Sequence, residues 1–250
     1  MQAKSFGKVS LMIIDAKDKD FSVLNEEIWA SSKDQKVVNC LGQRFIAAGL
    51  RGRTLEIDGI PGNALGAYLN GATLIVQGNA QDAVGDTMDS GEIIIHGNVG
   101  DAVGYAMRGG EIYVAGNAGY RAGIHMKEYK EKKPVLVIGG RAGSFLGEYL
   151  AGGLIIVLGL HKDGKPIAGN FPCTGMHGGK IVFRGSLDDV PLPDRVNTHK
   201  ANDEDWEEIK PYISKFGKLF SIDVTQLAPS DFTVVVPDSQ NPYKQMYVAN

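Results

Sequence analysis

"LNGATLIVQGNAQDAVGDT" (69–87), "MDSGEIIIHGNVGDAVGYA" (88–106) and "MRGGEIYVAGNAGYRAGIH" (107–125) follow one another without a gap and are equal in length. Aligned, they put Gly78, Gly97 and Gly116 in one column and Gly85, Gly104 and Gly123 in another, with Leu69, Met88, Met107 and Met126 in a third. A unit this short cannot bury a face alone, so successive units must stack. The pattern extends both ways. Gly59 and Gly66 stand one step earlier, Gly140, Gly147, Gly153 and Gly159 follow, and a last turn ends at Gly179 and Gly185. From Gly97 the glycines step to Gly104, Gly110 and Gly116, and the same steps recur from Gly140 through Gly147 and Gly153 to Gly159. Three short sides, each closed by a glycine that supplies positive φ or close backbone approach, describe a triangular coil. The predicted fold is all-β: a single-stranded parallel β-helix of about seven 19-residue coils.

One side of each coil is marked by a β-rich run: "TLIVQ" (73–77), "EIIIH" (92–96), "EIYVA" (111–115), "LIIVL" (154–158) and "KIVFR" (180–184). Alternation within the runs predicts two inward ladders. Leu55, Leu74, Ile93, Ile112, Leu136, Ile155 and Ile181 form one; Ile57, Val76, Ile95, Val114, Ile138, Val157 and Phe183 form the other. Between them lies an outward column of Glu56, Ile75, Ile94, Tyr113, Val137, Ile156 and Val182. A solvated face would be polar, so something covers this one: the chain's own flanks or a partner protein.

Of 33 glycines, 29 lie between residues 51 and 185. The expected organisation is therefore an N-terminal cap (1–50), the parallel β-helix (51–185) and a C-terminal capping or wrapping segment (186–250). In the first flank an alternating run falls at 9–14, and Asn25 with Glu26 and Glu27 marks a helix start near 23–31. In the last, Asn202 or Asp203 caps a short helix with an apolar stripe of Trp206, Ile209, Ile213 and Phe216, which Pro211 bends or splits. "SDFTVVVPDSQNPYKQMY" gives one strand and then extended chain. Two coils are long. Gly123 to Gly147 holds five extra residues in "KEYKEKKP" (127–134), and Gly159 to Gly185 holds seven in "HKDGKP" and "NFPCTG". The first insertion and "NFPCTG" are expected at one corner, two coils or about 10 Å apart. Such loops either bind something or are tolerated variation.

Composition excludes several classes. The net charge of -3 and the lack of a basic run argue against nucleic acid. No apolar run reaches the roughly 18–20 residues of a membrane span, and Asp15 and Asp18 break any secretory leader early. A cytoplasmic location is expected. Two cysteines, Cys40 and Cys173, fit neither a zinc site nor a cluster-binding run. The stretch "PVLVIGGRAGSFLG" (134–147) looks like a strand entering a phosphate loop. Its glycines do not follow G-x-G-x-x-G, and the next strand starts too soon for a crossover helix. It is one more corner of the repeat. His96 is read as a surface residue at the edge of a strand. No nucleophile–base set appears, and no catalytic, cofactor-binding or metal-binding residue is assigned.

One polar cluster sits beside the first insertion: His125, Lys127, Glu128, Tyr129 and Lys130, joined by Glu148 and Tyr149 a coil later and by His177 in "GMHGG". Tyr149 shares a column with His125. An acid–base or metal group is one reading; a partner interface is the one adopted. The corner glycines Gly78, Gly85, Gly97, Gly104, Gly116, Gly123, Gly140 and Gly147 are structural.

The motifs "LGQRFIAAGLRG", "PGNALGAYLNGA", "GNAQDAVGDTM", "GDAVGYAMRGGEIYVAGNAGYRAGIHMKEY", "GEYLAGGLIIVLG" and "GMHGGKIVFRG" together resemble the glycine-repeat (GXGXG) domain of glutamate synthase, over roughly residues 37–185. That domain ends the large subunit as a right-handed parallel β-helix. As a separate chain it resembles the split archaeal-type enzyme and the middle subunit of N-methylglutamate synthase. The same motifs are shared with the β-helix subunit of formylmethanofuran dehydrogenase. The resemblance implies a non-catalytic structural subunit. It would scaffold a glutaminase-like chain and an FMN-dependent synthase chain, with no cofactor of its own. The family's glutaminase nucleophile is an N-terminal cysteine, whereas this chain begins Met1-Gln2. An independent β-helix enzyme is the other class of reading. Lyases set carboxylates in register along a groove, which this repeat lacks. Hexapeptide acyltransferases use a slightly shorter coil than this one. Self-association stays open.

Overall fold

The computed structural model describes residues 11–160 and 164–238. Eleven strands form one sheet. Nine of them are successive in sequence and pair in parallel: β1 (Met12–Asp15), β2 (Gln35–Leu41), β3 (Thr54–Ile60), β4 (Asn70–Val76), β5 (Ser90–Ile95), β6 (Glu111–Val114), β7 (Val135–Ile138), β8 (Ala151–Val157) and β9 (Gly178–Arg184). From β2 to β9, parallel neighbours with no helix between them make each strand one turn of a β-solenoid, whereas a helix lies between β1 and β2. There are about eight turns rather than seven, because β2 already pairs with β3. The parallel sheet therefore begins well before residue 51, where the glycine density begins. Strand β2 carries no glycine, which hid its turn from the repeat.

Both inward ladders lie in the expected register. Leu55 pairs with Leu74 and so on to Ile181, Ile57 with Val76 and so on to Phe183, and every member is fully buried. Met88, Met107 and Met126 are fully buried in the same core. Each Leu or Ile removed from water contributes about 1.5–3 kcal/mol, against a net of about 1 kcal/mol for a hydrogen bond. The two ladders are thus the main cohesion between turns.

The other two walls are narrow. One is a row of single parallel bridges through Ala80, Val99, Ala118, Ala142 and Ala168. Beside it, side-chain pegs link turn to turn. Asn79 Oδ1 accepts the Asn98 amide, Asn98 the Asn117 amide and Asn117 the Arg141 amide, each at 2.8 Å. The glycines over these pegs need no unusual φ; a Cβ on Gly116 would sit 2.4 Å from Asn98 Oδ1. The third wall alternates positive φ with ordinary backbone, as at Arg121 (58°), Gly123 (69°) and His125 (57°), and again at Phe145, Gly147 and Tyr149. The middle member faces inward, and a Cβ on Gly147 would lie 2.4 Å from Ile181 Cδ1. The two glycine columns thus serve different ends, peg clearance and left-handed backbone.

The second long turn corrects the sequence reading. Ala142 pairs with Ala168, and the Phe145 and Tyr149 amides bond to the carbonyls of Asn170 and Thr174. "NFPCTG" is therefore in register with the turn before it. All seven extra residues lie between Leu160 and Ala168, partly outside the described residues. The first insertion lies where expected, after Met126 and before Val135, closed by the antiparallel Tyr129–Lys132 bridge. It enters β7 and the second follows β8, so the two leave from different corners.

Both ends are plugged. Helix α1 (Phe21–Trp29) sends Leu24 and Ile28 into the core. Its cap is Asp20, whose carboxylate accepts the Ser22 amide, rather than Asn25. Asn25 instead accepts the Ala47 amide, fastening the helix to the first corner. At the far end Leu187, Val190 and Leu192 pack on the core. Strand β10 (Val196–Lys200) pairs antiparallel with β11 (Phe232–Pro237), and β11 with β9. The chain expected after Asp238 lies outside the described residues, as do residues 9 and 10 of the first alternating run.

Helix α2 (Asp203–Phe220) covers part of the outward column. Asn202 caps it in a reciprocal box with Asp205. Ile209, Ile213 and Phe216 bury Tyr113, Val137, Ile156 and Val182. The chain's own C-terminal flank is thus the cover at this end, while Glu56 and Ile75 stay half-exposed. Pro211 does not split the helix. It lies on the exposed side, as does Glu207, whose carbonyl it leaves unpaired, so water can satisfy that oxygen. No helix among the described residues is long and apolar enough to cross a membrane.

Candidate partner interface

The third wall carries two outward columns flanking the glycine one. The first turns hold Phe45 with Gly49 and Ala64 with Tyr68, and the middle turns hold small residues, Ala83 with Thr87 and Ala102 with Ala106. In the last three turns they hold Arg121 with His125, Phe145 with Tyr149, and Phe171 with Gly175. A non-glycine residue in this backbone costs roughly 1–2 kcal/mol. Alanine meets the same requirement, so the coil itself does not call for rings.

The rings form two contacting groups. His125 stacks on Tyr149 at 5.2 Å and 8°, and Tyr105 meets His125 edge-on at 6.0 Å. Phe145 contacts Tyr120 and Phe171, each at 5.2 Å, with the Arg121 guanidinium 4.7 Å from the Tyr120 ring centre. Phe171 is 57% exposed and Tyr149 40%. Gly175 seats the Tyr149 ring; a Cβ there would lie 2.5 Å from it.

Among the residues expected at an interface, His125, Lys127, Tyr149 and His177 line one shallow depression of about 390 Å³, together with Tyr105 and Arg108. His177 Nδ1 is 3.0 Å from the Gly175 carbonyl. The other four stand apart from it. Glu148 is nearly buried and pairs with Arg121 at 2.8 Å, an interaction that raises the Arg121 pKa. Glu128 accepts the Gly153 amide at 3.1 Å. Tyr129 and Lys130 belong to the insertion's turn, with the Lys130 ammonium over the Tyr129 ring. His96 is exposed at the end of β5 and meets Phe220 edge-on at 5.2 Å. Tyr105, Arg108, Arg121, Phe145 and Phe171 were missed. The signal that finds Arg121 and Phe145 is position two residues before a corner glycine, Gly123 and Gly147.

Burial pushes the Cys40 thiol up to about 11 and the Cys173 thiol to about 12, so both stay protonated at neutral pH. Among the described residues no group of three His, Cys, Asp or Glu could hold a metal ion. A depression of about 780 Å³ lies between α2 and the 221–227 segment. Its one carboxylate, Asp223, is occupied by the Thr225 amide and hydroxyl.

The chain matches the model of the GXGXG motif family over residues 30–239. The chain belongs to that family. This GXGXG chain is also similar to an uncharacterized protein of Methanocaldococcus jannaschii. The two are 47% identical over 250 residues, covering 94% of this chain and 96% of that protein.

Proposed function

We propose that this GXGXG chain is a structural subunit of a glutamate synthase-type complex, holding a glutaminase-like chain and an FMN-dependent synthase chain together. Family membership carries the reading, since the same motif resembles the glycine-repeat domain of glutamate synthase. Two features support it. The aromatic corner is an ordered surface that the solenoid does not itself require, and both thiols are buried. Chemistry would then reside in the partners, and the complex would be cytoplasmic.

The test is co-expression of the tagged full-length chain with glutaminase-like and FMN-synthase chains encoded beside it. One co-eluting, flavin-yellow species is expected, and its size gives the copy number. Elution of the tagged chain free of both sinks the reading. Retention of formylmethanofuran dehydrogenase subunits instead would transfer the scaffold role to that complex.

A further inference from the structure

The depression beside the first insertion is lined by two cations, Arg108 and Lys127, and by no carboxylate. Lys127 is exposed and makes no ion pair among the described residues. Arg108 donates to the His125 carbonyl at 3.1 Å and pairs with no carboxylate among the described residues. The neighbouring acids are engaged, Glu148 with Arg121 and Glu128 with the Gly153 amide. Two cations therefore face solvent across a floor of stacked rings. That floor is preorganised at a cost. His125 and Tyr149 both hold left-handed backbone, at φ 57° and 53°, and the turn below presents glycine so that the Tyr149 ring can lie flat.

We propose that this trough docks an extended acidic segment of a partner protein. Its carboxylates pair with Arg108 and Lys127, and its aliphatic stems lie on His125 and Tyr149. The inference rests on the chain being a subunit of a complex. Charge complementarity selects an acidic partner, and shape selects an extended one. The lining steps along the solenoid axis from the turn of Tyr105, through His125 and Tyr149, to that of His177. Three steps at the strand spacing of about 4.8 Å make about 14 Å. An extended chain covers that with about four residues. Stacked rings give an aliphatic stem a flat apolar seat, while ion pairs at an open trough set orientation and partner choice more than affinity.

The test uses the full-length chain and a short fluorescein-labelled peptide of alternating Glu and Leu, followed by anisotropy at low salt. Its twin carries Gln for Glu. The Glu peptide is expected to bind about tenfold or more tighter than the twin, as loss of about 1.4 kcal/mol dictates. Arg108→Glu with Lys127→Glu removes about tenfold, and Tyr149→Ala several-fold. Reversing two exposed lysines at the other end, Lys17→Glu with Lys33→Glu, changes binding less than about twofold. Thermal melts confirm that each variant folds. Equal binding of the twin overturns the proposal, and so does equal weakening by the remote reversal, which would mean attraction by net charge alone. No partner chain enters this assay. A complex that assembles without peptide binding removes only the trough, and peptide binding without a complex removes only the scaffold reading.

Discussion

Gly104 and Gly147 occupy the same column with nearly the same backbone, at φ 70° and 64°. What lies beneath them differs. A Cβ on Gly104 would meet sulfur at 3.7 Å, from Met107 and Met126, whereas on Gly147 it would meet Ile181 Cδ1 at 2.4 Å. Gly104→Ala therefore costs only the left-handed backbone, about 1 kcal/mol. Gly147→Ala adds overpacking in a filled core, for a total of about 2–4 kcal/mol. Urea titration should order the variants that way; equal losses would mean that backbone strain alone sets the column. The site was half legible at this scale. His125 and Tyr149 could be paired by counting along the chain through the insertion, and their rings do stack. Phe171 could not be found so, because its turn holds cysteine where the corners from Gly66 to Gly147 hold glycine. That cysteine, Cys173, holds φ 62° in the glycine column.

Helix α2 is fixed by apolar contact and by a chain of charges. Lys180 reaches Asp205 at 2.8 Å and Glu208 at 2.7 Å, His199 reaches Asp205 at 2.8 Å, and Lys133 of the insertion also bonds Glu208. Burial raises both carboxyls. The bonds from Lys180 and His199 to Asp205, and from Lys133 and Lys180 to Glu208, outweigh it, so both pKa values end below normal. A depressed carboxyl stabilises the fold above its unfolded value near 4, and that contribution disappears as pH falls through the folded value. For Lys180, burial lowers the pKa, yet the bonds to Asp205 and Glu208 leave it raised, so its contribution fades only above about pH 10.5. Trp206 lies 5.8 Å from Phe232 and reports this seam. Its fluorescence should change below about pH 4, and Asp205→Asn should weaken that acid step. An acid step of full size in Asp205→Asn would contradict the assignment. The helix stripe was legible because 3.6-residue periodicity leaves a mark. The continuity through Pro211 was not, since it depends on which side of the helix meets water.

Across the molecule, most of the architecture could be read in advance because the repeat writes each contact several times over. Leu55 to Ile181 could be placed in register by spacing alone. The turn of β2 was hidden, because it uses Cys40 and Ala47 where later turns use glycine, Ala47 at φ 58°. The position of the seven extra residues was hidden too, since spacing counts insertions without locating them. Protection should follow coverage. Amides of β6 to β9, flanked on both edges and lying under α2, should exchange slowest; those of β1 and β10 should exchange fastest. Hydrogen exchange with mass spectrometry checks the gradient, and slowest exchange in β1 or β2 would contradict it.

A stack of identical turns invites another copy to continue it, and open strand edges are where fibres begin. Here the last turn is followed by a hairpin that prolongs only one of three walls. Its outer strand, "VNTHK", is short, exposed and lysine-bearing. A second molecule arriving end-on would find a template for one side and none for the other two.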